Sequence, residues 1–200
     1  MTLYDIKPRF QACLRPLLVW LHRRNVSANQ ITLAALFLSL LTGLCLTYFS
    51  EPHLFILLPI ILFIRMALNA LDGMMAREYQ QQSRLGALLN ELGDVISDAA
   101  LYLPLALLPG SNAALVVLMV LAAALTEFCG VLAQTLGQPR GYAGPMGKSD
   151  RALVVGTCGL LVALWPALCS WLNVVWLVML ALLVLTVVNR CRQALKAGEQ

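Results

Sequence analysis

Charged residues are scarce in this 200-residue chain, 12% of the total, against about a quarter in a typical soluble domain. Hydrophobic residues make up 60%. Together these figures exclude a water-soluble globular domain. Paired cysteine spacing is also missing. Cys13, Cys45, Cys129, Cys158, Cys169 and Cys191 are scattered without a CxxC, so they read as small apolar helix residues rather than zinc ligands or disulfides. No short apolar core precedes a small-residue cleavage site near the start, so no signal peptide is expected, and the first span should direct the chain to the membrane. There is no internal repeat or low-complexity tract. The absence of a repeat argues against a small carrier, which often shows one. A P-loop is excluded as well, because Gly141–Ser149 reads GYAGPMGKS, out of register for GxxxxGK[ST].

What is present is a series of apolar runs long enough to cross a bilayer. Spans are expected near 30–49, 54–76, 86–108, 113–135, 152–171 and 174–190, which gives an all-α, polytopic membrane protein of about six helices around a polar cavity. Residues 1–28 form a separate segment. In it Phe10, Leu14, Leu17, Leu18 and Leu21 recur at helical spacing among Lys7, Arg9, Arg15, Arg23 and Arg24. This is either an amphipathic helix on the lipid surface or simply a basic flank, and Pro8 and Pro16 are expected to break it into shorter pieces. Residues 29–196 then form one membrane domain, and 197–200 a tail.

Lys and Arg alternate between loops. Glu51–His53, Pro109–Asn112 and Ser170–Asn173 have none, whereas the N-terminus, Arg77–Arg84, Arg140–Arg151 and the Arg190–Lys196 tail are basic. By the positive-inside rule both termini and the Arg77–Arg84 loop face the cytoplasm. The net charge of +4 sits at these membrane flanks and calls for lipid, not nucleic acid, as the partner.

The most informative stretch is Asn69–Asp98. Acidic groups at the edge of a span are costly unless paired, hydrated or metal-bound, which marks Asp72, Glu91, Asp94 and Asp98 as functional candidates. Asn69, Asp72 and Ala76 share one face of a helix. Gly86, Asn90, Asp94 and Asp98 recur every four residues on one face of a second. Joined by the polar turn Glu78–Arg84, the two helices would bring oxygen ligands together between them, a donor set that suits a hard divalent cation. Arg65 and Glu127 also lie within spans, either as a buried structural pair or as contacts to a polar acceptor or lipid phosphate.

Asp72-Gly73-x-x-Ala76-Arg77, eight residues, then Gly86-x-x-x-Asn90-x-x-x-Asp94 resembles the signature of the CDP-alcohol phosphotransferases, integral membrane enzymes of phospholipid synthesis. The family pattern has four aspartates. Asp72 and Asp94 match two of them, and Asn69 and Asn90 stand where the other two would be. Ser27 reads as the N-cap of the first span, and Asn29 and Thr32 match a second family feature, Thr-Pro-Asn-x-x-Thr, with Ala28 in place of proline.

The resemblance implies transfer of a substituted phosphate from a CDP-alcohol, most simply CDP-diacylglycerol, to an acceptor alcohol with release of CMP. It implies that Asn29, Gln30, Ile31, Thr32, Gly73, Ala76, Arg77, Ser83 and Gly86 surround the nucleotide. Asn69, Asp72, Asn90 and Asp94 would hold one or two Mg²⁺ or Mn²⁺ ions, with Asp94 as the general base. The two asparagines remove two negative charges, for which Asp98 is a better placed substitute than Glu91. Arg140, Lys148 and Arg151, in the Gly/Pro-rich segment from Gly137, would meet the acceptor. A homodimer is compatible with this family, and the expected location is the inner membrane of a bacterium. The rival reading is a non-catalytic protein that binds CDP-lipid.

Overall fold

The computed structural model describes residues 3–196, with side chains from Arg9 onward. The expected 197–200 tail, the first two residues of the N-terminal segment and the Lys7 side chain lie outside the described residues. The described chain is all helix, with no strand: α1 (Leu3–Arg23), α2 (Ala28–Phe49), α3 (Leu57–Glu78), α4 (Arg84–Tyr102), α5 (Ala113–Thr135), α6 (Lys148–Leu164) and α7 (Leu172–Lys196). Three short 3-10 turns, Pro52–Ile56, Leu103–Leu107 and Pro166–Trp171, follow α2, α4 and α6. Each has a proline at its start, where a missing N–H costs nothing.

The helix starts follow from capping residues. Ser27 and Gln30 form a reciprocal capping box that opens α2, with Ser27 N–H donating to Gln30 Oε1 at 2.8 Å and Gln30 N–H to Ser27 Oγ at 3.3 Å. Ser83 Oγ accepts from Gly86 N–H at 2.9 Å and opens α4. Asn112 caps α5 in the same way, and Asp150, inside α6, reaches back to accept from the Gly147 N–H at 2.9 Å.

Helices α2 to α7 stand where the six apolar runs were expected. Four segments are long and apolar enough to cross a membrane by themselves: Ala28–Phe49, Pro52–Glu78, Ala113–Thr135 and Pro166–Lys196. The other two helices differ for a physical reason. α4 carries Arg84, Glu91, Asp94 and Asp98, and α6 has 17 residues and opens on Lys148, Asp150 and Arg151. Glu91, Asp94, Asp98 and Arg151 are turned into the protein, as described below, whereas Arg84 and Asp150 are exposed. The run expected at 86–108 also gives way at Leu103, just before Pro104, to a 3-10 turn.

Large apolar side chains such as Phe37, Leu44, Phe63, Phe128 and Leu153 point outward. On a soluble protein so extensive an apolar exterior would be an aggregation hazard; on this one it is the lipid-facing surface. Inside, Leu46, Phe55, Leu58, Leu105, Val116 and Trp176 form the centre of the main apolar core. Gly43 lets α2 and α4 touch backbone to backbone, since a side chain there would run into the Ala100 carbonyl.

The N-terminal helix differs from expectation. α1 runs unbroken through Pro8 and Pro16. A proline removes only its own N–H and crowds one carbonyl, and around the exposed Pro16 that carbonyl can turn outward. Leu18, fully buried, joins Leu71, Met74 and Met75 of α3 in a second small core, with Leu14 and Leu21 packed against it. Leu17 is exposed and takes no part in that core. Arg15 and Glu78 pair at 3.1 Å, and the His22 ring stacks on Tyr79 at 3.6 Å between centroids. α1 is therefore docked on the end of α3 that carries the polar motif.

Candidate active site

The two motif helices meet as the spacing requires. On α3, Asp72 is buried and its Oδ2 accepts from Thr32 Oγ1 of α2 at 2.8 Å. One turn earlier, Asn69 Nδ2 donates to Asp94 Oδ1 of α4 at 3.1 Å. Arg65, two turns before Asp72, donates to the same Asp94 oxygen at 3.2 Å and to the Asp94 carbonyl at 3.0 Å. Lys148, the first residue of α6, completes the ring by pairing with Asp94. Four helices thus converge on Asp72 and Asp94. Asn90 lies one turn before Asp94 on the same face of α4 and is half-buried.

The start of α2 forms the adjoining wall. Asn29 Oδ1 lies so close to Gly86 that a Cβ there would come within 2.7 Å of it. Glycine at 86 is therefore a condition of α2 and α4 meeting at this level. The Ala28 N–H donates to Gln81 Oε1 at 2.8 Å, which ties the α3–α4 turn to α2. Gln30 spends its side chain on the capping box, and Ile31 is buried in the small core. Gly73 and Ala76 are half-buried, and Arg77 is exposed at the end of α3.

Below the Asp72–Asp94 pair lies a continuous ionic network. Asp98 is buried between two guanidiniums, with Arg65 on one oxygen at 2.5 Å and Arg151 on the other at 2.9 Å. Arg151, itself fully buried, also donates to Thr126 Oγ1 at 3.0 Å and Glu127 Oε1 at 2.9 Å. Arg140 Nη2 donates to Glu127 Oε2 at 2.8 Å and its other terminal nitrogen pairs with Glu91. Arg190 of α7 stands 3.7 Å from Glu127 and donates to the Thr126 carbonyl. Burying so many charges is tolerable because nearly every one has a partner of opposite sign.

Several sequence expectations change here. Arg65 and Glu127 do not pair with each other; Arg65 reaches Asp94 and Asp98, and Glu127 reaches three arginines. Asp98 is no substitute metal ligand, because both of its oxygens are held by guanidiniums, and Glu91 is held by Arg140. Arg190 is not part of a basic tail but is buried. Its signal was present in the sequence, as an arginine one turn after Thr186 near the end of an apolar span. Gln81 and Thr126 gave no such signal. Of the three residues assigned to the acceptor, Lys148 is half-exposed at Asp94, whereas Arg140 and Arg151 belong to the network around Glu127.

The donor chemistry bears on a metal. Asn69, Asp72, Asn90 and Asp94 offer hard oxygen donors of the kind Mg²⁺ and Mn²⁺ prefer. Among the described residues no group of three His, Cys, Asp or Glu side chains is arranged to hold a metal. The donor set therefore fits a hard divalent ion.

Residues 25–189 match the family model for CDP-alcohol phosphatidyltransferase. The chain belongs to the CDP-alcohol phosphatidyltransferase family. A relative, inner membrane protein YnbA of Escherichia coli (strain K12), is 63% identical over 195 residues, covering 98% of this chain and 97% of the relative. An uncharacterized protein of Aquifex aeolicus (strain VF5) is 34% identical over 94 residues, 47% of this chain and 46% of that one. Among solved structures the fold resembles Mycobacterium tuberculosis phosphatidylinositol phosphate synthase in complex with manganese and citrate, with a TM-score of 0.76 at 21% identity, covering 90% of this chain and 87% of that one. The same enzyme with CDP-DAG bound gives a TM-score of 0.69 at 22% identity, covering 90% of each chain. The CDP-alcohol phosphatidyltransferase assignment accords with the apolar helices and with transferase work at a membrane.

Proposed function

We propose that this protein transfers a phosphatidyl group from CDP-diacylglycerol to the hydroxyl of an acceptor alcohol, releasing CMP. The observation that carries the reading is the convergence of α2, α3, α4 and α6 on Asp72 and Asp94, inside a chain of the CDP-alcohol phosphatidyltransferase family. The solved relative with CDP-DAG bound supports this donor over other CDP-alcohols.

In this reading Asn69, Asp72, Asn90 and Asp94 hold one Mg²⁺ or Mn²⁺ ion, with Asn69 and Asn90 in place of aspartates. When bound, the ion neutralises the diphosphate and eases departure of CMP. The remaining chemistry belongs to the chain. Arg77, Ser83, Gly73 and the Asn29–Thr32 segment receive the nucleotide, with Gly86 and Ala76 leaving room for its approach. Thr32 fixes the Asp72 carboxylate, and Arg65, Asn69 and Lys148 fix that of Asp94. Asp94 takes the acceptor's hydroxyl proton as its oxygen bonds to the lipid-side phosphorus and the bond to the CMP oxygen breaks. The rate advantage comes mainly from positioning and from charge stabilisation.

All six helices α2–α7 span the bilayer in this proposal, with both termini and the site on the cytoplasmic side of an inner membrane. The name of the relative in Escherichia coli supports that membrane, and the distribution of Lys and Arg supports the orientation. The test is direct. The purified protein is given CDP-diacylglycerol, Mg²⁺ or Mn²⁺ and a panel of alcohols, and CMP and new lipids are measured by mass spectrometry. Folded protein that binds CDP-diacylglycerol but releases no CMP with any alcohol would make it a CDP-lipid-binding protein instead.

A further inference from the structure

We infer that Glu127 occupies the arginine cluster formed by Arg140, Arg151 and Arg190 and so restricts the protein to an acceptor alcohol without net negative charge. The inference rests on the transferase reading for the word acceptor; the charge argument stands on the structure alone.

Three guanidiniums, Arg140, Arg151 and Arg190, come together from three different parts of the chain. A convergence of this kind is ordinarily a phosphate-binding arrangement. Here its focus is already taken by a side chain. Glu127 presents Oε2 to Arg140 at 2.8 Å, and Oε1 to Arg151 at 2.9 Å and Arg190 at 3.7 Å. Glu91 adds a second carboxylate on Arg140 and Asp98 a third on Arg151. Three carboxylates thus already occupy these three guanidiniums before any ligand arrives.

A phosphate monoester carries about 1.5–2 negative charges near neutral pH. To use these guanidiniums it would sit within a few ångströms of the Glu127 carboxylate, in a buried site where water screens little. The repulsion acts against that ligand alone, which is how a site discriminates between otherwise similar molecules. A neutral hydroxyl meets no such penalty. It also has donors to bind, because the buried Nε atoms of Arg140 and Arg190 lack a hydrogen-bond partner.

The experiment uses the full-length protein in detergent, with inorganic phosphate and glycerol 3-phosphate as probes. Their effect on the melting temperature is measured for wild type, Glu127→Gln and Glu127→Asp. Glu127→Gln should bind inorganic phosphate at least about tenfold more tightly than wild type, since one buried negative charge is gone. Glu127→Asp, which keeps the charge, should behave as wild type. Should Glu127→Gln not fold, wild type alone still decides. Saturable stabilisation of wild type by either phosphate overturns the inference, and no stabilisation supports it. With CDP-diacylglycerol present, CMP release with glycerol should exceed that with glycerol 3-phosphate by at least about tenfold; the reverse order overturns the inference. No CMP release with either alcohol would count against the transferase reading, while the phosphate measurements would still judge the role of Glu127.

Discussion

Arg65 of α3 and Asp98 of α4 form an ion pair that is almost wholly buried, and Arg151 of α6 closes on the other oxygen of the same carboxylate. One acidic residue therefore joins three helices directly beneath the Asp72–Asp94 pair. Removing it would leave Arg65 with Asp94 alone and Arg151 with Glu127 alone as buried acidic partners. Asp98→Ala is expected to cost about 3–5 kcal/mol of stability, the usual result of breaking a buried pair from one side. Denaturant or thermal unfolding in detergent measures this, and a variant that melts with wild type would show that the pair contributes nothing to stability.

Asp94 is a different case, because its proposed role is chemical. Asp94→Asn preserves shape and can still accept from Arg65 and Asn69, but it is a poor proton acceptor. CMP release should fall by about 10²–10⁴-fold while CDP-diacylglycerol binding survives. Turnover near the wild-type rate would remove Asp94 as the base.

Metal affinity offers a third measurement. With Asn69→Asp and Asn90→Asp together, the proposed ion gains two carboxylates, so Mn²⁺ should bind more tightly in a direct titration followed by electron paramagnetic resonance. Wild type should bind one ion per chain. Unchanged or weaker binding by a folded double mutant would mean that neither asparagine is a ligand.

Orientation in the membrane is tested with reporter fusions. Those after Gln82 and Gly144 should report the cytoplasm, and those after Pro52 and Ser111 the opposite side. An external reading after Gln82 would place the motif away from the cytoplasmic nucleotide and end the proposed topology.

Much of this arrangement is legible in the residue order, and the limit falls at a definite point. The four-residue period from Gly86 to Asp98 and the three-residue step from Asn69 to Asp72 fix which side chains share a face, and the structure has α3 and α4 facing each other through them. Ser27 and Ser83 mark helix starts because capping is local chemistry. Periodicity names a face, however, and not the neighbour that meets it. Glu127 and Arg190 are 63 positions apart in sequence, and only the packing of α5 against α7 makes them partners. The same is true of Thr32 with Asp72 and of Gln81 with Ala28. Pro16 misleads for another reason: a helix breaker in isolation is tolerated once Leu14, Leu18 and Leu21 anchor the helix on α3.

The three proline-led turns after α2, α4 and α6 have a bearing on bioenergetics. They share the end of the bundle where Phe55, Leu58, Leu105 and Trp176 are packed, remote from Asp94 and its cations. A protein with ten charged groups' worth of chemistry near one face of a membrane risks becoming a leak. Here the opposite end is packed with apolar side chains, so the buried charges do not continue through the bundle. In the proposed reaction, protons taken up at Asp94 would return to the side from which the substrates came. On that proposal, the protein would work in an energised membrane without short-circuiting it.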